Sequence, residues 1–398
     1  MPATPTPSTP SRWDLFCRVI DNHGDLGVCW RLAADLAHRG VQVRLWIDDA
    51  RALTWMAPQG QAGVQVMPWR DPLADELPGD VVVEAFGCDP PAAFVARMAA
   101  AVVPPVWINL EYLSAEGFVE RSHGLRSPQW SGPGTGLDKW FFYPGFTPRT
   151  GGLIRERHLG LPVDEAPGSP RPSAAELLQA HGLLLPPDRD IERTVLLFGY
   201  RQPALPGLLE ALAGGHGPGR TRLLVTPGWS AEAVGDWLGA PMRPGAPAVA
   251  RGRLQLIPLP ALPQTAFDRL LAACDLNLVR GEDSLVRALW AARPMLWQLY
   301  PQEDTIRLTK LQAFLDVHLD DAAPPGLRAA FEAWNGARTW TAGDWSTLLE
   351  AALPPVSTRR TAGWTDWSAA RARQLAQGRP DLTSALLDFA RQHRSRTG

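Results

Sequence analysis

Two short stretches of this chain carry residue types able to do chemistry. The first is Asp21-Asn22-His23-Gly24-Asp25-Leu26-Gly27, where two carboxylates and two glycines share seven residues. Glycines permit a tight turn and close approach to the backbone, and amides at a helix start can receive an anion such as a diphosphate. The carboxylates add acceptors for a cation or an acidic proton. A plain structural role fits the same residues, with Asp25 capping a helix and Asp21 ending a strand. The spacing is not the GxGxxG dinucleotide fingerprint, which weighs against a dehydrogenase. The second stretch is Arg280-Gly281-Glu282-Asp283-Ser284. Helix capping explains Asp283 and Ser284, and explains Arg280 and Glu282 less well. A guanidinium, a hydroxyl and free helix-start amides together suit a diphosphate, while Glu282 can hydrogen-bond a sugar hydroxyl. Phe198 ends an expected strand, and Tyr200, Gln264 and Tyr300 follow expected strands. Rings and a carboxamide there can stack on and read a nucleobase, or can belong to the core.

Positioning these residues takes strands that end where the motifs begin. Residues 13–20 read as a buried strand and 27–38 as a helix with one apolar face. Further strands are expected at 41–47, 64–67, 81–85 and 106–110, with a helix at 92–101. Residues 151–189 turn rich in proline, glycine and polar side chains and read as an interdomain connection. A second series then has strands at 194–198, 222–226, 254–258, 276–279 and 295–299, alternating with helices at 205–213, 231–238, 266–273, 284–292 and 305–316. Alternation of this kind implies an α/β fold with mostly parallel sheets, here two Rossmann-like halves. The expected division is a disordered tail at 1–11, an N-terminal domain at 12–185, a second domain at 186–355 and C-terminal helices at 356–398 that pack back on the first.

Composition narrows the function classes. Lys plus Arg number 39 against 41 Asp plus Glu, a net charge of −2, so no overall field draws in nucleic acid or an anionic membrane. The only lysines are Lys139 and Lys310. Cys17, Cys29, Cys88 and Cys274 form no CxxC pair, and no HxH or HExxH spacing exists, so neither a disulfide framework nor a metal site is expected. No signal peptide or long apolar run is evident, and a cytoplasmic protein is expected.

The segments VIDNHGDLGVCWRLAADLA, INLEYLSAE, SHGLRSPQ, FFYPGF, LLFGY and CDLNLVRGEDSLVRALWAARPMLWQLYPQ resemble, in order and spacing, the protein-arginine rhamnosyltransferase family, EarP. His23 stands where the family pattern has an aromatic residue, and the base-binding segment is replaced by LPALPQ. The resemblance implies a GT-B fold, two Rossmann-like domains facing across a cleft. It implies inverting transfer of L-rhamnose from dTDP-β-L-rhamnose to an arginine of translation elongation factor P, with no metal or cofactor. The modified factor then rescues ribosomes stalled at polyproline. Carried over by position, Asp25 is the general base, Asp21 orients the guanidinium, and Glu282 contacts the sugar or ribose. Asn22, Gly24, Phe198, Tyr200, Gln264, Arg280, Asp283, Ser284 and Tyr300 fall to the donor. The competing readings are another GT-B enzyme, with a different acceptor or acting as a nucleotide-sugar 2-epimerase, and a non-catalytic binder of elongation factor P.

Overall fold

The structure is a computed structural model, and it describes residues 11–20, 23–69, 76–166, 169–185, 190–214, 220–301, 303–352, 363–377 and 379–394. Of the expected tail only Ser11 falls among these; Asp21 and Asn22 of the first motif lie outside them. The chain divides into two compact units: the residues through Glu156 together with those from Arg379 onward, and the stretch between.

The first unit is built on seven strands: β1 (Arg12–Cys17), β2 (Gln42–Ile47), β3 (Val64–Pro68), β4 (Val81–Ala85), β5 (Val106–Leu110), β6 (Arg126–Pro128) and β7 (Asp138–Phe142), in the order β3-β2-β1-β4-β5-β7-β6. All pairs are parallel except β6 with β7. Parallel strands need crossovers rather than hairpins, so the C-terminal ends of the parallel strands lie on the same sheet edge. The order reverses between β1 and β4, which is where such sheets hold ligands. The wholly apolar or nearly apolar runs of β4 and β5 are buried along their length, as strands covered on both faces must be. Phe16, Trp46, Phe94, Met98 and Trp107 form a core cluster beneath the strand ends.

Two buried acids brace this sheet. Asp14 accepts from Arg44 Nε at 2.7 Å and Nη2 at 2.8 Å, and from the Trp46 indole at 2.8 Å. Glu84 accepts from Lys139 at 2.6 Å and the Trp107 indole at 3.0 Å, while its burial pushes the carboxyl up against the pull of Lys139. Removing one partner of such a buried pair costs about 3–5 kcal/mol.

The second unit contains β8 (Ile191–Leu197), β9 (Arg220–Val225), β10 (Val249–Arg251), β11 (Leu254–Pro258), β12 (Leu276–Arg280) and β13 (Met295–Gln298), in the order β10-β11-β9-β8-β12-β13. Only β10 with β11 is antiparallel. From β11 to β13 the order repeats that of the first unit's β3 to β5, and the reversal point lies between β8 and β12.

The first unit ends at Glu156, ahead of the expected boundary at 185. Beyond it the helix Ala174–Gln179 buries Leu177 and Leu178 and packs on the helix Gln264–Ala273, which places it in the second unit. The C-terminal helical segment also divides. Helix Trp364–Ala376 belongs to the second unit. Pro380 cannot continue it, and the chain restarts as helix Leu382–Arg394 in the first unit. That last helix packs on helix Gly24–His38 and on β5. Arg39 ties it down through Asp381 at 2.8 Å and Ser384 at 2.6 Å, and Trp140 meets Phe389 and His393 edge-on. All four cysteines are free, and no helix among the described residues is long and apolar enough to cross a membrane.

One core histidine makes the second unit acid-sensitive. His318 is buried among Phe314, Phe331 and Trp367, and its Nδ1 has no hydrogen-bond partner. Burial, aided by Arg371 and opposed by Asp320, holds its pKa down at about 3. As pH falls below the ordinary value of 6.5 the unfolded chain takes up this proton while the folded one does not, so stability is lost between about 6.5 and 3. The slope from this one group is about 1.4 kcal/mol per pH unit at most. Urea unfolding at pH 7 and pH 5 checks this. His318→Phe keeps the ring packing and is expected to flatten the acid slope; an unchanged slope would remove His318 as its source.

Candidate active site

The first motif from Gly24 and the second from Gly281 open helices. Helix Gly24–His38 begins three residues before the expected position, because Gly27 N already donates to His23 O at 2.9 Å. Asp25 therefore lies in the first turn, where the helix dipole favours the charged carboxylate. It is 3% exposed, and its Oδ2 accepts from Ile20 N at 2.9 Å, so it also ties the end of the β1 segment to the helix. Gly24 is the first helical residue, half-buried. His23 sets its ring edge-on to Trp55 at 5.2 Å, doing an aromatic residue's packing work. Behind this turn lie Cys17 and Cys29; burial, then Cys17, pushes the Cys29 thiol well up, so it stays protonated.

In the second unit β12 runs directly into helix Gly281–Trp290, so Glu282 and Asp283 occupy its first turn. Arg280 is at once the last strand residue and the N-cap, with extended backbone angles, and Gly281 follows with φ +66. That left-handed angle suits glycine because it has no Cβ. Trp297 holds the turn by donating from its indole to Gly281 O at 2.8 Å, and Ser284 Oγ donates to Arg280 O. Gln264, the first residue of its own helix, reaches Asp283 Oδ2 at 3.5 Å.

The Arg280 guanidinium lies over two rings, 4.6 Å from the Phe198 centroid and 4.3 Å from that of Tyr200. Its Nη1 is buried without a hydrogen-bond partner. Stacking on an aromatic face contributes about 0.5–2 kcal/mol, whereas a buried donor left unbonded costs about 1–3 kcal/mol. The rings alone do not satisfy this group, and an anion does. Helix-start amides beside it add partial positive charge of the same sense.

The loop carrying the rings is fixed by residues that sequence reasoning missed. Gln298 at the end of β13 accepts from Tyr200 N at 2.8 Å, and Ser230 Oγ accepts from Gly199 N at 2.9 Å. A polar residue closing an apolar strand was the only local sign of Gln298, and nothing marked Ser230. Tyr300, half exposed, meets Tyr200 edge-on at 5.5 Å. Within the second unit the structure thus gathers Phe198, Tyr200, Arg280 and Tyr300 at one sheet edge. Gln264, Asp283 and Ser284 join them through the same helix start, and Glu282 lies in its first turn. Asp25 and Gly24 belong to the first unit. Among the described residues no three His, Cys, Asp or Glu side chains are grouped to hold a metal ion.

Two mostly parallel sheets that share a five-strand order, each with polar residues at its reversal point, are the architecture of the GT-B fold. A solved spinosyn forosaminyltransferase, 12% identical, covers 97% of this chain and 100% of its own with a TM-score of 0.50, which shows the fold alone. The EarP family, described as elongation-factor P (EF-P) rhamnosyltransferase, matches residues 13–391, and the chain belongs to it. A protein-arginine rhamnosyltransferase of Pseudomonas putida is 43% identical over 398 residues, covering 95% of this chain and 98% of its own length. A solved structure presented as the basis for EarP-mediated arginine glycosylation of translation elongation factor EF-P is 30% identical. It covers 96% of this chain and 99% of its own with a TM-score of 0.62.

Arg280→Lys keeps the charge but loses the flat, forked guanidinium. It is expected to weaken binding of the nucleoside diphosphate dTDP about ten-fold or more, by isothermal titration calorimetry. Unchanged affinity would place the diphosphate elsewhere.

Proposed function

We propose that this enzyme transfers L-rhamnose from dTDP-β-L-rhamnose to an arginine side chain of translation elongation factor P, in the cytoplasm, inverting the anomeric carbon and using no metal. The product lets the factor rescue ribosomes stalled at polyproline. The observation that carries the donor half is the Arg280 guanidinium, stacked on Phe198 and Tyr200 with its buried Nη1 unbonded at a helix start. The acceptor half is supported by membership of the EarP family and by the name of the Pseudomonas putida relative.

An arginine side chain is a poor nucleophile, since its charge is delocalised and its pKa exceeds about 12. A carboxylate must orient it and take a proton as the new bond forms. Asp25 fits that role as base, and Asp21 is assigned to hold the guanidinium. In one displacement the arginine nitrogen bonds to the anomeric carbon as the bond from that carbon to the diphosphate oxygen breaks. The nitrogen's proton passes to Asp25, and dTDP leaves. A single displacement inverts the centre once. Charge growing on the diphosphate is met by Arg280, Ser284 and the helix-start amides, a fixed electrostatic arrangement in place of a metal. Glu282 is assigned to a sugar or ribose hydroxyl, and Asp283, Gln264, Tyr300, Asn22 and Gly24 are assigned to the donor.

Intact-mass spectrometry of elongation factor P after incubation with the enzyme and dTDP-β-L-rhamnose tests this reading. A gain of one deoxyhexose, absent from an acceptor with its target arginine changed to lysine, is the expected result. No gain despite donor binding would send the acceptor assignment elsewhere. Asp25→Asn is expected to slow transfer by about 10²–10⁴-fold, with donor affinity kept within about two-fold; normal turnover in this variant would remove Asp25 from the mechanism.

A further inference from the structure

Two helices of the second unit open at the edge that carries Arg280, and a buried ion pair joins them one turn below it. Helix Gln264–Ala273 leads into β12 and helix Gly281–Trp290 leads out of it, so both run back along the sheet from the same edge. Their polar contacts form a ladder. Gln264 Nε2 donates to Asp283 Oδ2 at 3.5 Å, and four residues further along each helix Arg287 Nη2 lies 2.9 Å from Asp268 Oδ2. Residues four apart share a helix face, so these contacts are two rungs about 5.4 Å apart, one turn of each helix.

The rungs differ in strength. At 3.5 Å the upper one sits at the limit of a hydrogen bond, and glutamine is rich in rotamers, so this contact does not fix how the helices slide past one another. The lower one joins a guanidinium whose side chain is 1% exposed to a carboxylate 10% exposed. Arginine keeps its charge in a protein, and burying that charge without a counter-charge is costly, which makes the place opposite Asp268 the stable one for Arg287. The Nη2 donor is not aligned for a hydrogen bond, so charge attraction sets the distance, and little water screens it. Deeper still, Asn277 Nδ2 donates to Leu271 O at 2.9 Å and ties the first of these helices to β12. A slip of one residue between the helices would move Gln264 by about 1.5 Å, which the contact with Asp283 does not survive.

We propose that Asp268 and Arg287 are positioning residues for the nucleotide: their ion pair sets the register of the two helices and, through the upper rung, places Gln264 and Asp283 against the nucleoside diphosphate without touching it. The inference rests on the reading of this edge as the donor site.

The full-length enzyme is compared with the double variant Asp268→Leu/Arg287→Met, which removes both charges at similar volume; exchanges of this kind keep or raise stability, whereas Asp268→Asn alone would strand a buried guanidinium. With a melting temperature near that of wild type, the double variant is expected to bind dTDP about ten-fold more weakly by isothermal titration calorimetry. Its acceptor KM in steady-state transfer is expected to stay within about two-fold of wild type. Arg287→Lys keeps a charge but falls short of Asp268; it is expected to shift dTDP binding in the same direction and serves in the same assays if the double variant melts early. A cycle with Gln264→Ala gives a readout that a merely structural role does not move. If the ion pair acts through the upper rung, its removal from Gln264→Ala is expected to weaken dTDP binding less than about two-fold. Crystal structures of the wild type and the double variant without nucleotide give a second readout: the distance from Gln264 Nε2 to Asp283 Oδ2 is expected to open beyond about 4 Å in the variant. Unchanged dTDP affinity in the double variant, or losses that are additive in free energy across the cycle, overturns the positioning role and leaves the donor reading standing. Failure of the wild type to bind dTDP overturns the donor reading instead. The crystal structures then decide alone, and an upper rung that stays closed in the variant, or is open in the wild type, overturns the positioning role.

Discussion

The second unit's chemistry depends on a guanidinium held over two aromatic rings, with no acid paired to it among the described residues. Arginine does not shed its proton in a protein, so the charge of Arg280 is permanent. The surrounding sequence serves to hold it there. Gln298 and Ser230 fix the Phe198–Tyr200 loop through backbone amides, and Trp297 and Ser284 fix the turn from β12 into its helix. With the helix-start amides of the same sign, this sheet edge is built to be completed by an anion. The proposed diphosphate does so, and its charge increases as the sugar departs, which is when fixed dipoles matter most.

The first unit has the opposite character at the corresponding edge. Asp25 opens its first helix, and Glu84, Asp89 and Glu111 gather around Lys139 at the tips of the neighbouring strands. On the proposed reading one unit meets a cationic acceptor and the other an anionic donor. A net charge of −2 conceals this division, because opposite local fields cancel in the sum. The parallel topology makes the arrangement possible. The parallel strands end on the same edge, so residues far apart in sequence, such as Phe86, Glu111 and Tyr143, come to adjacent strand tips.

The apolar strands were legible because burial on both faces leaves a plain signature: Val81–Ala85 and Val106–Leu110 begin and end where their sequence says. The edge strands β6 and β10 were not, since three residues with exposed or half-buried side chains carry no period. Helices Leu327–Trp334 and Ala342–Ala352 also went unread. The two motifs were found by residue type, yet their helices begin earlier than the apolar pattern shows, because polar first turns hide a helix start. The stacking of Arg280 on Phe198 and Tyr200 joins residues some eighty positions apart, and the amide anchors from Gln298 and Ser230 are likewise products of topology. Neither the break at Pro380 nor the return of the following helix to the first unit was read from the sequence.

The most direct test of this account is a crystal structure of the protein with dTDP bound. The account predicts a diphosphate hydrogen-bonded to the Arg280 guanidinium and to amides at the start of helix Gly281–Trp290, with the base beside Phe198, Tyr200 and Gln264. A diphosphate seated away from Arg280, for example on the amides that open helix Gly24–His38, would contradict it.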